Sequence, residues 1–162
     1  MSELDELYPE VLAAHVRHPR RYGLHPHPTI TVHERSSTCG DEVTLQLLLD
    51  GDRIVGAAWT GEGCMISRAS ASILADQLPG LSTADVALRI ASFRTSIRSR
   101  GSIPVDEELL GDAAALGGAS RVVARATCAL LPWIAAESAL RATASAVIHG
   151  DPLDAGGRES GG

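Results

Sequence analysis

Residues 43–64 read VTLQLLLDGDRIVGAAWTGEGC, and their pattern decides the fold. Val43, Leu45, Leu47 and Leu49 alternate with a period of two, the signature of a strand with one buried face. Asp50-Gly51 marks a tight turn into a second run, Ile54 to Thr60, so the stretch predicts an antiparallel hairpin. Gly61-Glu62-Gly63-Cys64 breaks the second strand, and Ile66, Ala69, Ile73 and Leu74 continue at helical spacing until Pro79-Gly80. Cys64 is thereby placed at a helix N-terminus.

Upstream of the hairpin, Leu4, Leu7, Tyr8, Val11, Leu12 and His15 recur at helical spacing. This amphipathic helix should end near His18-Pro19, because proline restricts the residue before it. A loop rich in Pro and His follows, and a short strand is read at Thr29 to His33. His25-Pro26-His27-Pro28 has the composition of a metal-binding tract but lacks further partners, and an exposed loop explains it.

Downstream, Ser82 and Asp85 form a capping box before Val86, Ile90, Phe93 and Ile97, with Gly101 as the stop. A short helix is read from about Asp106 to Leu116. After Gly117-Gly118 a long Ala-rich helix should run to about Ile148. Pro132 falls inside it and removes the donor to the Cys128 carbonyl, so it either kinks the helix or lies in its first turn. The tail from Gly150 to Gly162 is too poor in apolar residues to fold and reads as disordered. These elements predict an α+β domain over residues 1–149, a small antiparallel sheet of about three strands packed against five to six helices.

Composition agrees with one such domain. The chain has 162 residues, 44% of them hydrophobic and only 3% aromatic. A core of Leu, Ile, Val and Ala favours closely packed helices. Every basic residue is arginine, which reads as codon bias in a GC-rich bacterium. The net charge of −6 argues against nucleic-acid binding, which needs a positive surface. Arg17, Arg20 and Arg21 are the only tight basic group, either a solvated helix end or a patch for an acidic partner. No segment is apolar enough to cross a membrane, and the acidic N-terminus (Glu3, Asp5, Glu6) is unlike a signal peptide, so a cytoplasmic protein is expected.

In a reducing compartment three cysteines are not a disulfide framework, which leaves metal binding, thiol chemistry or use as small buried apolar side chains. Cys39-Gly40-Asp41 puts a thiol and a carboxylate two residues apart across a glycine, and the hairpin that starts at Asp41 returns Cys64 towards Cys39. The partial positive charge at a helix N-terminus favours the thiolate form of Cys64. Three thiolates with one carboxylate suit a tetrahedral zinc ion, whereas soft sulfur does not suit magnesium or calcium. Nothing local says where Cys128 points.

Three segments carry a resemblance. Ser37-Thr38-Cys39-Gly40-Asp41-Glu42, Gly61-Glu62-Gly63-Cys64-Met65-Ile66-Ser67 with its Ala-Ser-Ala-Ser continuation, and Ala124-Arg125-Ala126-Thr127-Cys128-Ala129-Leu130 resemble the three cysteine motifs of the IscU/NifU N-terminal scaffold family. His15-Val16-Arg17-His18-Pro19-Arg20 and Arg98-Ser99-Arg100-Gly101 are similar to it too. Together the likeness spans most of residues 4 to 145. Within the family the chain looks like the SufU branch: the region between the second and third motifs is long, lacks a Leu-Pro-Pro-Val-Lys segment, and has Thr127 where IscU has a histidine. Ser36-Ser37 replaces the usual Asn-Pro, and Pro132 replaces a helix former.

The resemblance implies an IscU/NifU-like fold and a zinc ion (Zn2+) held by Cys39, Asp41, Cys64 and Cys128. It further implies that Cys39 accepts persulfide sulfur from a SufS-type cysteine desulfurase and passes it to a downstream iron-sulfur assembly scaffold. Arg125 matches a family arginine near the site and would support thiolate charge or contact the partner. Zinc damps thiolate reactivity, so transfer needs one ligand to be released, and Cys39 in its Gly-containing loop is the one most easily freed. Two other readings are an IscU-like scaffold on which an iron-sulfur cluster is built, and a purely structural zinc domain.

Overall fold

A computed structural model describes residues 3–38 and 40–148 of the chain. Strand β1 (Ile30–Arg35), β2 (Glu42–Asp50) and β3 (Arg53–Glu62) form one antiparallel sheet in the order β1-β2-β3. The hairpin turns at Gly51, whose φ of 63° is open to glycine at no steric cost. Its register pairs Leu45 with Trp59 and Glu42 with Glu62, so the start of β2 lies beside the end of β3. The alternation seen in the sequence holds through Val43, Leu45 and Leu47, which join Ile54, Ala57 and Trp59 in the core, whereas a register shift between Leu48 and Leu49 leaves Leu49 only partly buried. β1 begins one residue later and ends two residues later than the sequence pattern suggests. Its extra length is held by pairing with β2, Glu34 opposite Val43 and Arg35 opposite Glu42.

Among the described residues, five α-helices accompany the sheet: α1 (Glu3–Arg17), α2 (Met65–Gln77), α3 (Thr83–Ile97), α4 (Glu107–Leu110) and α5 (Val123–Ile148). α3 starts as expected, with the Ser82 hydroxyl accepting from the Asp85 N–H at 3.1 Å. It ends at Ile97, before Gly101, because the chain turns through Arg98 and the left-handed Arg100. The helix expected over 106–116 is interrupted. Gly111 has a φ of 52°, outside the α-helical region, so α4 stops after one turn and a 3-10 segment, Gly111–Arg121, follows. The expected tail from Gly150 to Gly162 lies outside the described residues.

α5 is the central helix, packed against α2, α3, β1 and β2. Ala129, Ala135, Ala136 and Ala139 are fully buried along it. Small side chains let neighbouring backbones approach closely, which explains why alanine blurs the periodicity of a helix buried on several sides. Trp133 stacks on Phe93 of α3 with ring centroids 4.1 Å apart, and such a pair adds about 1 kcal/mol beyond its burial. Pro132 lies well inside the helix and not in its first turn.

α1 is fastened to α2 through His15, which is 5% exposed. Its Nδ1 is 2.7 Å from Ser72 Oγ and its Nε2 is 3.0 Å from Asp112 Oδ2. The basic group that follows is partly engaged: Arg20 pairs with Asp76 at 3.6 Å, and its carbonyl accepts from the Trp59 indole N–H at 2.8 Å.

Candidate metal centre

Three elements deliver one side chain each to a single point. Asp41 directly precedes β2, Cys64 is the N-cap of α2, and Cys128 lies in the second turn of α5. One oxygen of Asp41 and the two sulfurs all lie within 4.8 Å of one another. The carboxylate and Cys128 are buried, whereas Cys64 is exposed, so the point opens to solvent on the α2 side.

The hairpin register explains the meeting of Asp41 with Cys64. Because Glu42 is opposite Glu62, the residue before β2 must lie next to those just after β3. Two glycines make the approach close enough. A Cβ at Gly61 would stand 2.7 Å from the Glu42 carbonyl oxygen, and one at Gly63 would stand 2.5 Å from the Asp41 carboxyl carbon. The space a side chain would fill at position 63 is thus occupied by the Asp41 carboxylate.

The Cys64 backbone N–H donates to Asp41 Oδ2 at 3.4 Å. Ser67, in the first turn of α2, donates its hydroxyl to the Cys64 carbonyl at 3.1 Å and lies 3.9 Å from the Cys64 sulfur. Burial by itself would raise the Asp41 pKa. Hydrogen bonds from the Cys64 thiol, the Cys128 thiol and the Cys64 backbone outweigh it and hold the acid below its ordinary 3.8. A charged carboxylate facing two thiols is an arrangement ready for a cation.

The donor set fits zinc. Ligands at about 2.0–2.3 Å around a tetrahedral ion stand roughly 3.3–3.8 Å apart, so atoms within 4.8 Å need to close by only about 1 Å. The soft sulfurs disfavour magnesium and calcium. Three donors leave one tetrahedral position.

Cys39, expected as a ligand and as the sulfur acceptor, lies outside the described residues. The backbone around it turns tightly: the Ser36 N–H donates to the Asp41 carbonyl at 2.8 Å and the Gly40 N–H to the Ser36 carbonyl at 2.9 Å. Gly40 has a φ of 77°, which fits the glycine between Cys39 and Asp41. Arg125 is exposed on α5 and makes no hydrogen bond or ion pair among the described residues. Thr127 directs its hydroxyl to the Val123 carbonyl at 3.1 Å. His25 and His27 interact with each other, His25 Nδ1 accepting from the His27 N–H at 3.2 Å, in an exposed loop. The bond from Ser67 to the Cys64 carbonyl was not read from the sequence, although its i+3 spacing from the N-cap Cys64 is the spacing of a capping partner.

A three-stranded antiparallel sheet backed by helices, with a carboxylate and two thiols converging from the sheet and two helices, defines a small α+β domain with a soft-metal donor set. The chain belongs to the NifU-like N-terminal domain family, whose pattern matches residues 7–129. It is similar to the zinc-dependent sulfurtransferase SufU of Bacillus subtilis, 38% identical over 84% of this chain and 90% of that protein. It is also 33% identical to the iron-sulfur cluster assembly scaffold protein IscU of Streptococcus pyogenes, over 90% of each chain. Among solved structures, a putative iron-sulfur cluster assembly scaffold protein for the SUF system from Fervidobacterium islandicum superposes with a TM-score of 0.74 at 28% identity, over 81% of this chain and 94% of that one. The N-terminal part of a NifU-like protein from Brucella abortus has the same fold, with a TM-score of 0.79 at 19% identity over 89% of this chain and 99% of that one. No helix among the described residues is long and apolar enough to cross a membrane.

Proposed function

We propose that the chain is a zinc-dependent sulfur acceptor for iron-sulfur cluster assembly, taking persulfide sulfur from a SufS-type cysteine desulfurase and passing it to a downstream assembly scaffold. The observation that carries this reading is the convergence of Asp41 with the thiols of Cys64 and Cys128. Cys39 completes a set of three thiolates and one carboxylate and is the acceptor. The likeness to a zinc-dependent sulfurtransferase supports the same reading.

Bound zinc would hold its cysteine ligands as thiolates near neutral pH. The chain's own residues arrange the rest. The Cys64 N–H holds the Asp41 carboxylate in place, and Gly63 leaves room for it. In the transfer step the Cys39 thiolate attacks the terminal sulfur of the desulfurase persulfide. A sulfur-sulfur bond forms at Cys39, the donor's bond breaks, and the donor cysteine leaves as a thiolate, so no separate oxidant is required. Exposed Arg125, one turn before Cys128, is placed to meet the partner or balance thiolate charge.

A scaffold role, in which a cluster is built on the same cysteines, is the second reading, supported by the likeness to IscU. Metal content by mass spectrometry and desulfurase turnover with the wild type and Cys39→Ser separate the two. One zinc per chain, with turnover stimulated by the wild type alone, is the expected outcome. Iron with labile sulfide in place of zinc would favour the scaffold, and zinc without stimulation would reduce the site to a structural one.

A further inference from the structure

The Ala69-Ser70-Ala71-Ser72 stretch of α2 contains two serines that are both 0% exposed. A hydroxyl in a core must find partners, and these two find them on opposite sides of α2. Ser72 accepts from the Arg20 N–H at 2.8 Å and pairs with His15 Nδ1 at 2.7 Å, which ties α2 to α1 and to the loop after it. Ser70 donates to the Ala129 carbonyl at 2.6 Å and accepts from the Trp133 indole N–H at 2.9 Å, which ties α2 to α5.

The Ser70 partners bracket a weak point in α5. Pro132 has no N–H to donate, so α5 forgoes one of its own i→i−4 hydrogen bonds at this turn. Ala129 directly follows Cys128, and Trp133 directly follows Pro132. The helix is therefore gripped by an outside side chain where its own ladder is interrupted. The gripping residue is on α2, whose N-cap is Cys64.

We propose that Ser70 is a positioning residue for the metal centre: its two hydrogen bonds set the separation of the Cys64 and Cys128 sulfurs by fixing α5 against α2 at the proline. This rests on the reading of Asp41, Cys64 and Cys128 as zinc ligands. Metal-sulfur distances tolerate only a few tenths of an ångström, so a small slip of α5 along α2 is felt at the ion. Ser72, with equal burial and as many polar partners, faces α1 and has no such effect.

The experiment compares Ser70→Ala with Ser72→Ala in the full chain, measuring zinc affinity by chelator competition, the d–d absorption of the cobalt(II)-substituted protein, and Tm. Both variants are expected to lose Tm. Ser70→Ala should also weaken zinc binding by about tenfold to a hundredfold, the range for residues that orient a ligand, and shift the cobalt bands. Ser72→Ala should keep zinc affinity within about twofold and leave the cobalt spectrum unchanged, as expected when no ligand-orienting contact is touched. Trp133→Phe removes the indole N–H but keeps a ring to stack on Phe93, and it should weaken zinc severalfold; it decides the matter if Ser70→Ala does not fold. Wild-type zinc affinity and cobalt bands in the Ser70 and Trp133 variants would overturn the proposal and leave the zinc reading standing. A wild-type chain that binds no zinc would overturn both.

Discussion

Gly63 and Asp41 occupy one space between them, and two substitutions separate their contributions. Gly63→Ala keeps the carboxylate but sets a methyl group 2.5 Å from its carbon, so the acid must move. Zinc affinity is expected to fall by about tenfold or more, read by chelator competition. Asp41→Ala removes the acid altogether, leaves the thiols, and should lower both zinc content and Tm. Unchanged metal content in Asp41→Ala would remove Asp41 from the ligand set. Neither glycine effect is legible in the sequence, where Gly61 and Gly63 read only as strand breakers. Their need for space arises from a chain segment some twenty residues away.

Among the helices, α5 carries contacts that a linear pattern hides. Beside the Trp133–Phe93 stack, it is held to α3 by an ion pair from Arg94 to Glu137, supported by Arg141 at 3.4 Å. The Arg94 hydrogen bond is the main reason that the Glu137 pKa lies below 4.5, against an opposing effect of partial burial. A carboxylate with a lowered native pKa stabilises the fold above its unfolded value. That contribution is lost as pH falls from about 4.5 towards the native pKa. Glu137→Gln should therefore lower stability by about 1 kcal/mol near neutral pH. The difference from wild type should shrink in urea unfolding below pH ~4.5. A difference independent of pH would show that the pair is not what Glu137 contributes.

On α1, His15 is buried between Ser72 and Asp112. In the neutral ring Asp112 accepts from Nε2–H, and Nδ1 accepts from the Ser72 hydroxyl. His15→Ala should cost about 2–3 kcal/mol through the cavity and the Ser72 hydroxyl hydrogen left without its acceptor, with zinc affinity retained because α1 brings no ligand. Calorimetry with parallel metal analysis checks both parts. The sequence showed His15 as a member of an apolar stripe and of a run that resembles the family, without its partners. Its role depends on Asp112, in a 3-10 segment that the local pattern reads as ordinary helix until Gly111 interrupts it.

For the molecule as a whole, the candidate ligands link the start of β2, the start of α2 and the first turns of α5, so a bound ion fastens the sheet to two helices. A ligand that binds only the folded state stabilises it by mass action, about 4 kcal/mol at a thousand times its dissociation constant. Chelation of zinc should lower Tm by several degrees, restored on adding zinc back, and Asp41→Ala should show a smaller difference between the two states. Equal Tm with and without zinc in the wild type would contradict a centre that joins these elements.

Local chemistry was enough for much of this architecture. The period-two run from Val43 with its Asp-Gly turn, the Ser82 capping box and the glycines before Cys64 determine strand, turn and helix start, because each depends on residues within a few positions. The cysteine spacing and the motifs around Cys39, Cys64 and Cys128 pointed to a soft-metal site and to the family. Only the tertiary structure decided that Cys128 meets Asp41 and Cys64, that Gly63 makes room for the carboxylate, and that Ser70 grips α5 beside Pro132. Those are contacts between segments distant in the chain. They follow from how the sheet and helices pack, and no local propensity records them.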